Sequence, residues 1–377
     1  QKIGEKRPDE AGAVIGSGIC LFSVVTIGVT ILMIFLAGPM SGWMQAPKEA
    51  FAQTVSYVRI CSAGTVFIVA YNVLGSIFRG IGDSKMPLIT VAIACLFNIA
   101  GDLLLVGVFH MGVAGAAYAT VFAQAFSVAM SVLIIRKKTL PFEFSRSSIR
   151  FDKKIIGRIV VLGLPIALQD LLVSVSFLVI IAIVNSLGVV ASAGIGVAEK
   201  LCAFIMLVPS AYSQAMSAFV AQNIGAKKPE RAKKALLCGI ASSVAAGLIM
   251  AYVSFFHGDI LTGLFSRDEA VIAAAADYLR AYAIDCIFTA FSFCFSGYFN
   301  GCGKTVFVML QGLAGAFAVR IPVSYLMSRI PGISLFGIGL AVPVSSLLQI
   351  VICVAYLCYM ESAGREKSCR FSGHVLY

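Results

Sequence analysis

The chain has 377 residues, of which 59% are hydrophobic and only 12% are charged. Soluble domains carry roughly 25% charged residues, and the mean hydropathy here is +0.95, so the composition excludes an ordinary soluble protein. The net charge of +11 would suit a nucleic-acid-binding protein, but the basic residues lie in loops beside apolar runs, where they usually set membrane orientation. We therefore expect a lipid bilayer and no nucleic acid as partner.

Apolar runs long enough to cross roughly 30 Å of hydrocarbon recur along the whole chain. Only α-helices and closed barrels satisfy their backbone groups in lipid, and these runs are too long and too uniformly apolar for barrel strands. The sequence therefore predicts an all-α polytopic membrane protein. The ten predicted spans cover residues 12–36, 53–77, 86–109, 113–135, 156–185, 190–220, 235–256, 274–298, 306–327 and 335–360.

Positive charges separate between alternate loops. One set of loops, which includes both chain ends and the segment from Arg136 to Arg158, holds most of the 29 Lys+Arg, whereas the opposite loops hold Lys48, Arg267 and Arg329. Cytoplasmic loops carry the excess of basic residues. We therefore expect both ends to be cytoplasmic and the membrane to be a bacterial plasma (inner) membrane.

The opening stretch QKIGEKRPDEA returns 221 residues later as QNIGAKKPERA. The same offset pairs Tyr57 with Tyr278 and Gly82 with Gly303, whereas residues 152–221 have no counterpart in the first half. We therefore expect roughly 70 further residues with two helices before residue 1. The intact protein would then hold twelve helices in two parallel six-helix repeats, related by an axis along the membrane normal.

The repeat predicts four parts of the chain. Residues 1–135 form an N-terminal lobe with helices 3–6 of its repeat, and residues 136–155 form a basic cytoplasmic linker. Residues 156–360 form a six-helix C-terminal lobe, followed by a cytoplasmic tail at 361–377. Two pseudo-symmetric bundles are typical of transporters, because alternating access needs two bodies that move around a central site.

Two sets of motifs resemble those of the multidrug and toxic compound extrusion (MATE) family. The first is NVLGSIFRGIGDSKMPL at 72–88 with GVAGAAYATVFAQ at 112–124, and the second is GLPIALQ at 163–169 with AYSQAMSAFVAQNIGAKKPERAKKA at 211–235. The resemblance extends over essentially the whole chain. It implies a twelve-helix, two-lobed secondary active antiporter. Such a protein exports small organic compounds, cationic or amphipathic, driven by inward Na⁺ or H⁺ flow.

Asn98 and Asp102 are the most informative polar pair within a span. They lie four residues apart and therefore on one helical face, and Thr120 follows in the next, antiparallel span. Their oxygen atoms suit Na⁺, or the carboxyl could take a proton because desolvation favours its neutral form. The N-x-x-x-D spacing and the following Thr resemble the coupling-cation positions of the MATE N-terminal lobe. The alternative is a polar clamp between two helices.

The second repeat differs at the corresponding place, where RIPVSYL brings Arg320 and Ser324 nearest to the positions of Asn98 and Asp102. A fixed positive charge repels a cation, so we expect only the N-terminal lobe to couple. Alternatively, Arg320 contacts substrate or tethers helices by reaching backbone carbonyls or a carboxylate, and of these two the tether is favoured.

Asp170, Lys200 and Asp285 are further candidates for gating or for the substrate cavity, each with a structural alternative. Asp170 is expected at the cytoplasmic start of its helix, where a carboxylate suits the helix dipole. Lys200 follows Glu199, and the two charges offset each other. Asp285 follows Arg280 by five residues, which allows a local ion pair.

Other functions find less support in the sequence. A flippase for lipids or lipid-linked oligosaccharides would need several cavity cations for a pyrophosphate head group, and only Lys200 and Arg320 qualify. A non-transporting scaffold would not need polar groups inside its spans. No nucleophile, metal cluster or paired acids suggest an enzyme, so we expect no catalytic residues, no cofactor and no metal except Na⁺ at Asp102.

Overall fold

The computed structural model describes residues 1–43, 48–137, 144 and 148–372, and the described residues contain helices and turns but no strand. Parts of the predicted linker and tail, at 138–143, 145–147 and 373–377, lie outside the described residues. The chain forms two compact units, unit 1 (Gln1–Ile159) and unit 2 (Val160–Tyr377). The four domain bounds from the sequence stay predictions.

Unit 1 is built from five helices, of which two form one bent span. The bend between α2 and α3 is 50° at Gly64, and α4 continues directly into a π-helical segment. The helices are α1 (Pro8–Trp43), α2 (Lys48–Ala63), α3 (Thr65–Ile81), α4 (Lys85–Asp102) with its π-helical segment Leu103–Val108, and α5 (Gly112–Lys137).

Unit 2 holds most of α6 and all the helices that follow it. Another π-helical segment separates α11 from α12. The helices are α6 (Lys153–Asn185), α7 (Val189–Gly225), α8 (Pro229–Phe256), α9 (Gly258–Gly263), α10 (Glu269–Gly301), α11 (Thr305–Leu313), the π-helical segment Ala314–Arg320, α12 (Ile321–Ser328), α13 (Leu335–Gly339) and α14 (Ala341–Ser372).

The described helices confirm an all-α, multi-pass membrane protein. Eight of them, counting helices joined end to end as one, are long and apolar enough to cross a bilayer, and the bent pair α2–α3 adds a ninth. The remaining predicted span, at 274–298, falls within the 33-residue helix α10, which is not one of these nine. α10 is buried along most of its length among α7, α8 and α14, so polar side chains such as Asp285 face protein instead of lipid.

The sequence repeat is also a repeat of the backbone. Lys6 and Lys227, which occupy the same place in the two motif copies, have φ angles of 57° and 56°. Positive φ is uncommon for residues other than glycine, so two such values at one offset indicate the same turn built twice. Gly82 and Gly303 repeat the pattern with φ angles of 93° and 77°. Glycine is favoured there because it has no Cβ to oppose the left-handed conformation.

Close packing between α7 and α10 forms the core of unit 2. Tyr278 and Tyr282 of α10 are buried beside Ile195 and Ala198 of α7. Gly194 allows this approach, since a Cβ on it would lie 2.9 Å from the Ala274 Cβ and 3.2 Å from the Ala275 backbone nitrogen. The pairing fixes the position of α10 and therefore of Asp285.

We expect Gly194→Ala to destabilise unit 2 by about 1–3 kcal/mol, because overpacking forces two helix backbones apart. Gly196→Ala, two residues along the same helix, is the matched control, since its Cβ meets no atom within 4 Å. Gly196→Ala should stabilise the protein by up to about 1 kcal/mol, because alanine has a higher helix propensity than glycine. Melting temperatures of the purified proteins measure both effects. Equal melting of Gly194→Ala and the unsubstituted protein would contradict the packing described here.

Candidate functional site

The predicted coupling residues of unit 1 lie on two tightly packed helices. Asn98 and Asp102 occupy the last turns of α4, and Thr120 lies on α5, which packs along α4. The helices approach closely at Gly101, where an added Cβ would lie 3.0 Å from the Ala119 Cβ. This close approach brings polar side chains of α4 and α5 within reach of each other.

Asn98 and Thr120 are in direct contact. The Asn98 Nδ2 donates a hydrogen bond of 3.4 Å to the Thr120 Oγ1, which in turn donates one of 3.0 Å to the backbone carbonyl of Ala116. The Asn98 amide oxygen is not used in this bond and stays an acceptor. The contact suits both a polar clamp between helices and one edge of an oxygen-lined cation site.

Asp102 is the last residue of α4, immediately before the π-helical segment Leu103–Val108. Its Oδ1 is buried and has no hydrogen-bond partner. A buried carboxylate oxygen without a partner is costly, so this atom is a candidate ligand for a cation. π-helical turns are rare and frequently accompany functional sites.

Tyr57 of α2 lies within electrostatic range of Asp102, a neighbour that the sequence analysis did not identify. The offset of 221 residues could have identified this neighbour, because it pairs Tyr57 with Tyr278. Tyr278, the counterpart of Tyr57, lies within electrostatic range of Asp285 and Arg320 in unit 2. In each unit, the paired tyrosine therefore interacts electrostatically with an ionisable residue of a helix.

Arg320 is buried in unit 2, with 6% of its surface exposed. Its Nη1 donates a hydrogen bond of 3.2 Å to the Ser176 Oγ on α6. Its guanidinium carbon lies 4.5 Å from the centroid of the Phe177 ring, which is within the range of a cation–π contact. These contacts connect α6 to the junction of the π-helical segment with α12.

Asp285, on α10, has 0% exposure and interacts electrostatically with Arg320, although no N–O distance of 4.0 Å or less joins them. The Ser346 hydroxyl lies beside it, but neither carboxylate oxygen has a hydrogen bond of good geometry. The ion pair with Arg280 that the sequence allowed for Asp285 does not form. Arg280 pairs at 3.5 Å with Asp277, because residues three apart share a helical face.

The remaining two candidates are exposed in unit 2. The helix-start explanation for Asp170 is wrong, since α6 begins at Lys153 and Asp170 lies in the middle of the helix. Lys200 of α7 has its Nζ 6.0 Å from the Phe265 ring centroid, at the outer limit of a cation–π contact. Both residues belong to unit 2, whereas the predicted coupling residues belong to unit 1.

A cavity of about 550 Å³ lies between α1 and α3 of unit 1, and none of the candidate residues line it. Its walls are mostly apolar and include Gly18 and Ser76. Their counterparts in unit 2 are Gly239 and Gly297, and there Met216 of α7 occupies the corresponding groove between α8 and α10. The repeat therefore marks the cavity as a helix-packing groove, and we do not assign it to substrate.

Comparisons with known proteins agree on one family. A sequence model of the MatE family matches residues 1–104 and 165–326, that is, both repeats. The probable multidrug resistance protein YpnP of Bacillus subtilis (strain 168) is 28% identical over 369 residues, covering 98% of this chain and 81% of that protein. The multidrug export protein MepA of Staphylococcus saprophyticus is 24% identical over 324 residues, 84% of this chain and 70% of that protein.

The fold also matches a solved structure, the outward-facing conformation of a multidrug resistance MATE family transporter of the MOP superfamily. The TM-score is 0.90 at 19% identity, covering 97% of this chain and 82% of that one. At this identity the likeness concerns the fold alone.

We expect a double-mutant cycle of Asn98→Ala and Thr120→Val to give a coupling energy of about 0.6 kcal/mol, the average for hydrogen bonds between membrane helices. The matched cycle uses Asn72→Ala with Thr120→Val, since the Asn72 Nδ2 donates to the Ile68 carbonyl of its own helix. That cycle should give no coupling, because the two residues share no partner. Unfolding free energies in detergent measure both, and equal values in the two cycles would contradict the Asn98–Thr120 contact.

Proposed function

The chain belongs to the MATE family of membrane transporters, and from that premise we propose that it is a secondary active antiporter. It exports small organic compounds, cationic or amphipathic, and inward flow of Na⁺ or H⁺ drives the export. Its relatives YpnP and MepA, named for multidrug resistance and multidrug export, support this substrate class. The predicted bacterial plasma membrane and cytoplasmic chain ends are part of the same proposal.

The observation that carries the coupling proposal is the polar group at the α4–α5 contact. Asp102 has a buried oxygen without a partner, and Asn98 and Thr120 meet one helical turn away. Carboxylate, amide and hydroxyl oxygens are hard ligands that suit an alkali cation. A proton on the same carboxyl is the alternative coupling ion.

Coupling requires that the cation bind one conformation of the protein more tightly than another. A shift of the two-state ratio from 1:99 to 99:1 needs a difference in affinity on the order of 10⁴-fold. Asp102 suits this task, since its place between α4 and a π-helical segment links its surroundings to a backbone that is not regular α-helix. A small change in this segment would reorient the carboxylate relative to Asn98 and Thr120.

The flippase alternative depends on cationic side chains that are free to hold a pyrophosphate head group. Arg320 is buried against Ser176 and Phe177, which leaves Lys200 as the single exposed cation of the two that the sequence offered. We therefore retain export of organic compounds as the proposed activity.

We expect Asp102→Asn to abolish gradient-driven efflux, because the amide cannot ionise and so cannot exchange a charge with the passing cation. Drug susceptibility of an efflux-deficient bacterium that expresses the variant measures the loss. The same panel with and without Na⁺, and with an uncoupler, distinguishes Na⁺ from H⁺.

The control for this variant is Asp259→Asn, which changes an exposed carboxylate at the start of the short helix α9. It should retain full resistance. Membrane insertion and melting of both variants should match the unsubstituted protein. Efflux that continues at the normal rate in Asp102→Asn would refute the assignment of the coupling site.

A further inference from the structure

We propose that Arg320 is a built-in counter-cation for Asp285, which keeps unit 2 from binding a coupling ion, and that its removal converts the Asp285 pocket into a cation or proton site. The proposal deepens the proposed function and rests on it for the contrast between the units. It concerns a binding site that is closed in this protein by one of its own side chains.

The first support is the burial of two opposite charges in one core. Asp285 is fully buried and Arg320 is 6% exposed, and the two interact electrostatically. Removing one member of a buried pair leaves an uncompensated charge, which is strongly destabilising. Each residue therefore depends on the other for its place in the membrane interior.

The second support is a set of buried polar atoms without partners in unit 2. Both Asp285 carboxylate oxygens, the Arg320 Nε and the Ser324 Oγ are buried without hydrogen bonds, and Ser324 lies one turn after Arg320 on α12. The Ser346 hydroxyl lies beside Asp285. A carboxylate beside a serine hydroxyl supplies oxygen ligands that suit a small cation, and here the guanidinium of Arg320 supplies the positive charge instead.

The third support is that Arg320 is fixed and cannot easily leave. The hydrogen bond to Ser176 and the contact with the Phe177 ring both come from α6. A planar guanidinium held by a hydrogen bond and an aromatic face is pre-organised. The positive charge is therefore a permanent part of unit 2, in contrast to an ion that enters and leaves.

The fourth support comes from the offset of 221 residues. Arg320 is the counterpart of Ile99, next to Asn98, and Ser324 is the counterpart of Leu103, next to Asp102. When the two repeats are aligned, the positive side chain of Arg320 in unit 2 therefore falls within one residue of a proposed cation ligand in unit 1.

The acidic residue of unit 2 lies on a different helix from that of unit 1. Asp285 is the counterpart of Gly64, where α2 and α3 bend by 50° and where an added Cβ would lie 2.7 Å from the Val121 Cγ1. Unit 1 therefore has no room for a side chain at that position, whereas the continuous helix α10 of unit 2 does.

The test uses the full chain with Asp102→Asn, so that unit 1 contributes no response. Arg320→Gln is then added, and the melting temperature is measured against NaCl, with choline chloride holding ionic strength constant, at pH 6 and pH 8. If the pocket binds Na⁺, we expect Na⁺ at about 100 times its dissociation constant to raise the melting temperature by ~5 °C. If the carboxyl takes a proton instead, we expect the melting temperature to be higher at pH 6 than at pH 8.

Three controls accompany Arg320→Gln in the same background. Arg320→Lys keeps the charge, Arg280→Gln removes an exposed charge from α10, and Asp285→Asn/Arg320→Gln removes the acid as well. None of these should gain a response to Na⁺ or pH. The double substitution also tests whether a pH response comes from Asp285 or from another ionisable group of this core. The other groups are Glu199 and Cys202 of α7, and Tyr278, Tyr282 and Cys286 of α10.

A folded Arg320→Gln protein that responds to neither Na⁺ nor pH more than Arg280→Gln would overturn the proposal. If Arg320→Gln does not fold, the yield of folded protein becomes the test. The double variant Asp285→Asn/Arg320→Gln, which lacks both charges, should give a severalfold higher yield of folded protein than Arg320→Gln or Asp285→Asn alone. A double variant no better than the single ones would equally overturn it. Because the readout is melting and not transport, these results are independent of the efflux result for Asp102→Asn.

Discussion

A charged side chain inside hydrocarbon has to be compensated by a neighbour, an ion or a proton, because no bulk water solvates it. This constraint decides how the few ionisable residues of the spans are placed. Asp102 has a buried oxygen without a partner in unit 1, whereas Asp285 and Arg320 share one core in unit 2. One unit thus leaves its carboxylate available, and the other supplies a positive charge from its own chain.

The repeat allows the two units to be compared position by position. Lys6 and Lys227 adopt the same uncommon left-handed conformation, so the two copies share this turn. Tyr57 and Tyr278 share a position and each interacts electrostatically with an ionisable residue of a helix. Since the scaffold is common to both units, the chemistry differs because of a few substitutions at corresponding positions, such as Ile99 against Arg320.

Much of this arrangement was accessible from the sequence because its signals are local or periodic. Apolar runs predicted the helices, the offset of 221 predicted a repeated fold, and the analysis paired Asn98 with Thr120, which the structure brings into contact. The role of these side chains as a coupling site stays a prediction. The burial of α10 inside unit 2 was not accessible in this way.

The surroundings of the charges were not accessible, because they depend on contacts between distant helices. Arg280 had two acidic neighbours within five residues, and helical geometry selected Asp277 over Asp285. The contact of Arg320 with Ser176 joins residues 144 positions apart, which no spacing rule indicates. Asp170 seemed to lie near a helix start because Pro165 precedes it, yet α6 continues through that proline from Lys153.

Each unit has a π-helical segment next to an ionisable side chain, which is negative in unit 1 and positive in unit 2. One begins directly after Asp102, and the other ends at Arg320. In both units, therefore, that side chain lies at the junction between α-helical and π-helical backbone. Such a junction leaves some carbonyls outside the regular α-helical hydrogen-bond pattern and lets a side chain turn relative to its neighbours. In unit 1 that freedom would let a carboxylate respond to a cation, whereas in unit 2 Ser176 and Phe177 hold the corresponding charge in place.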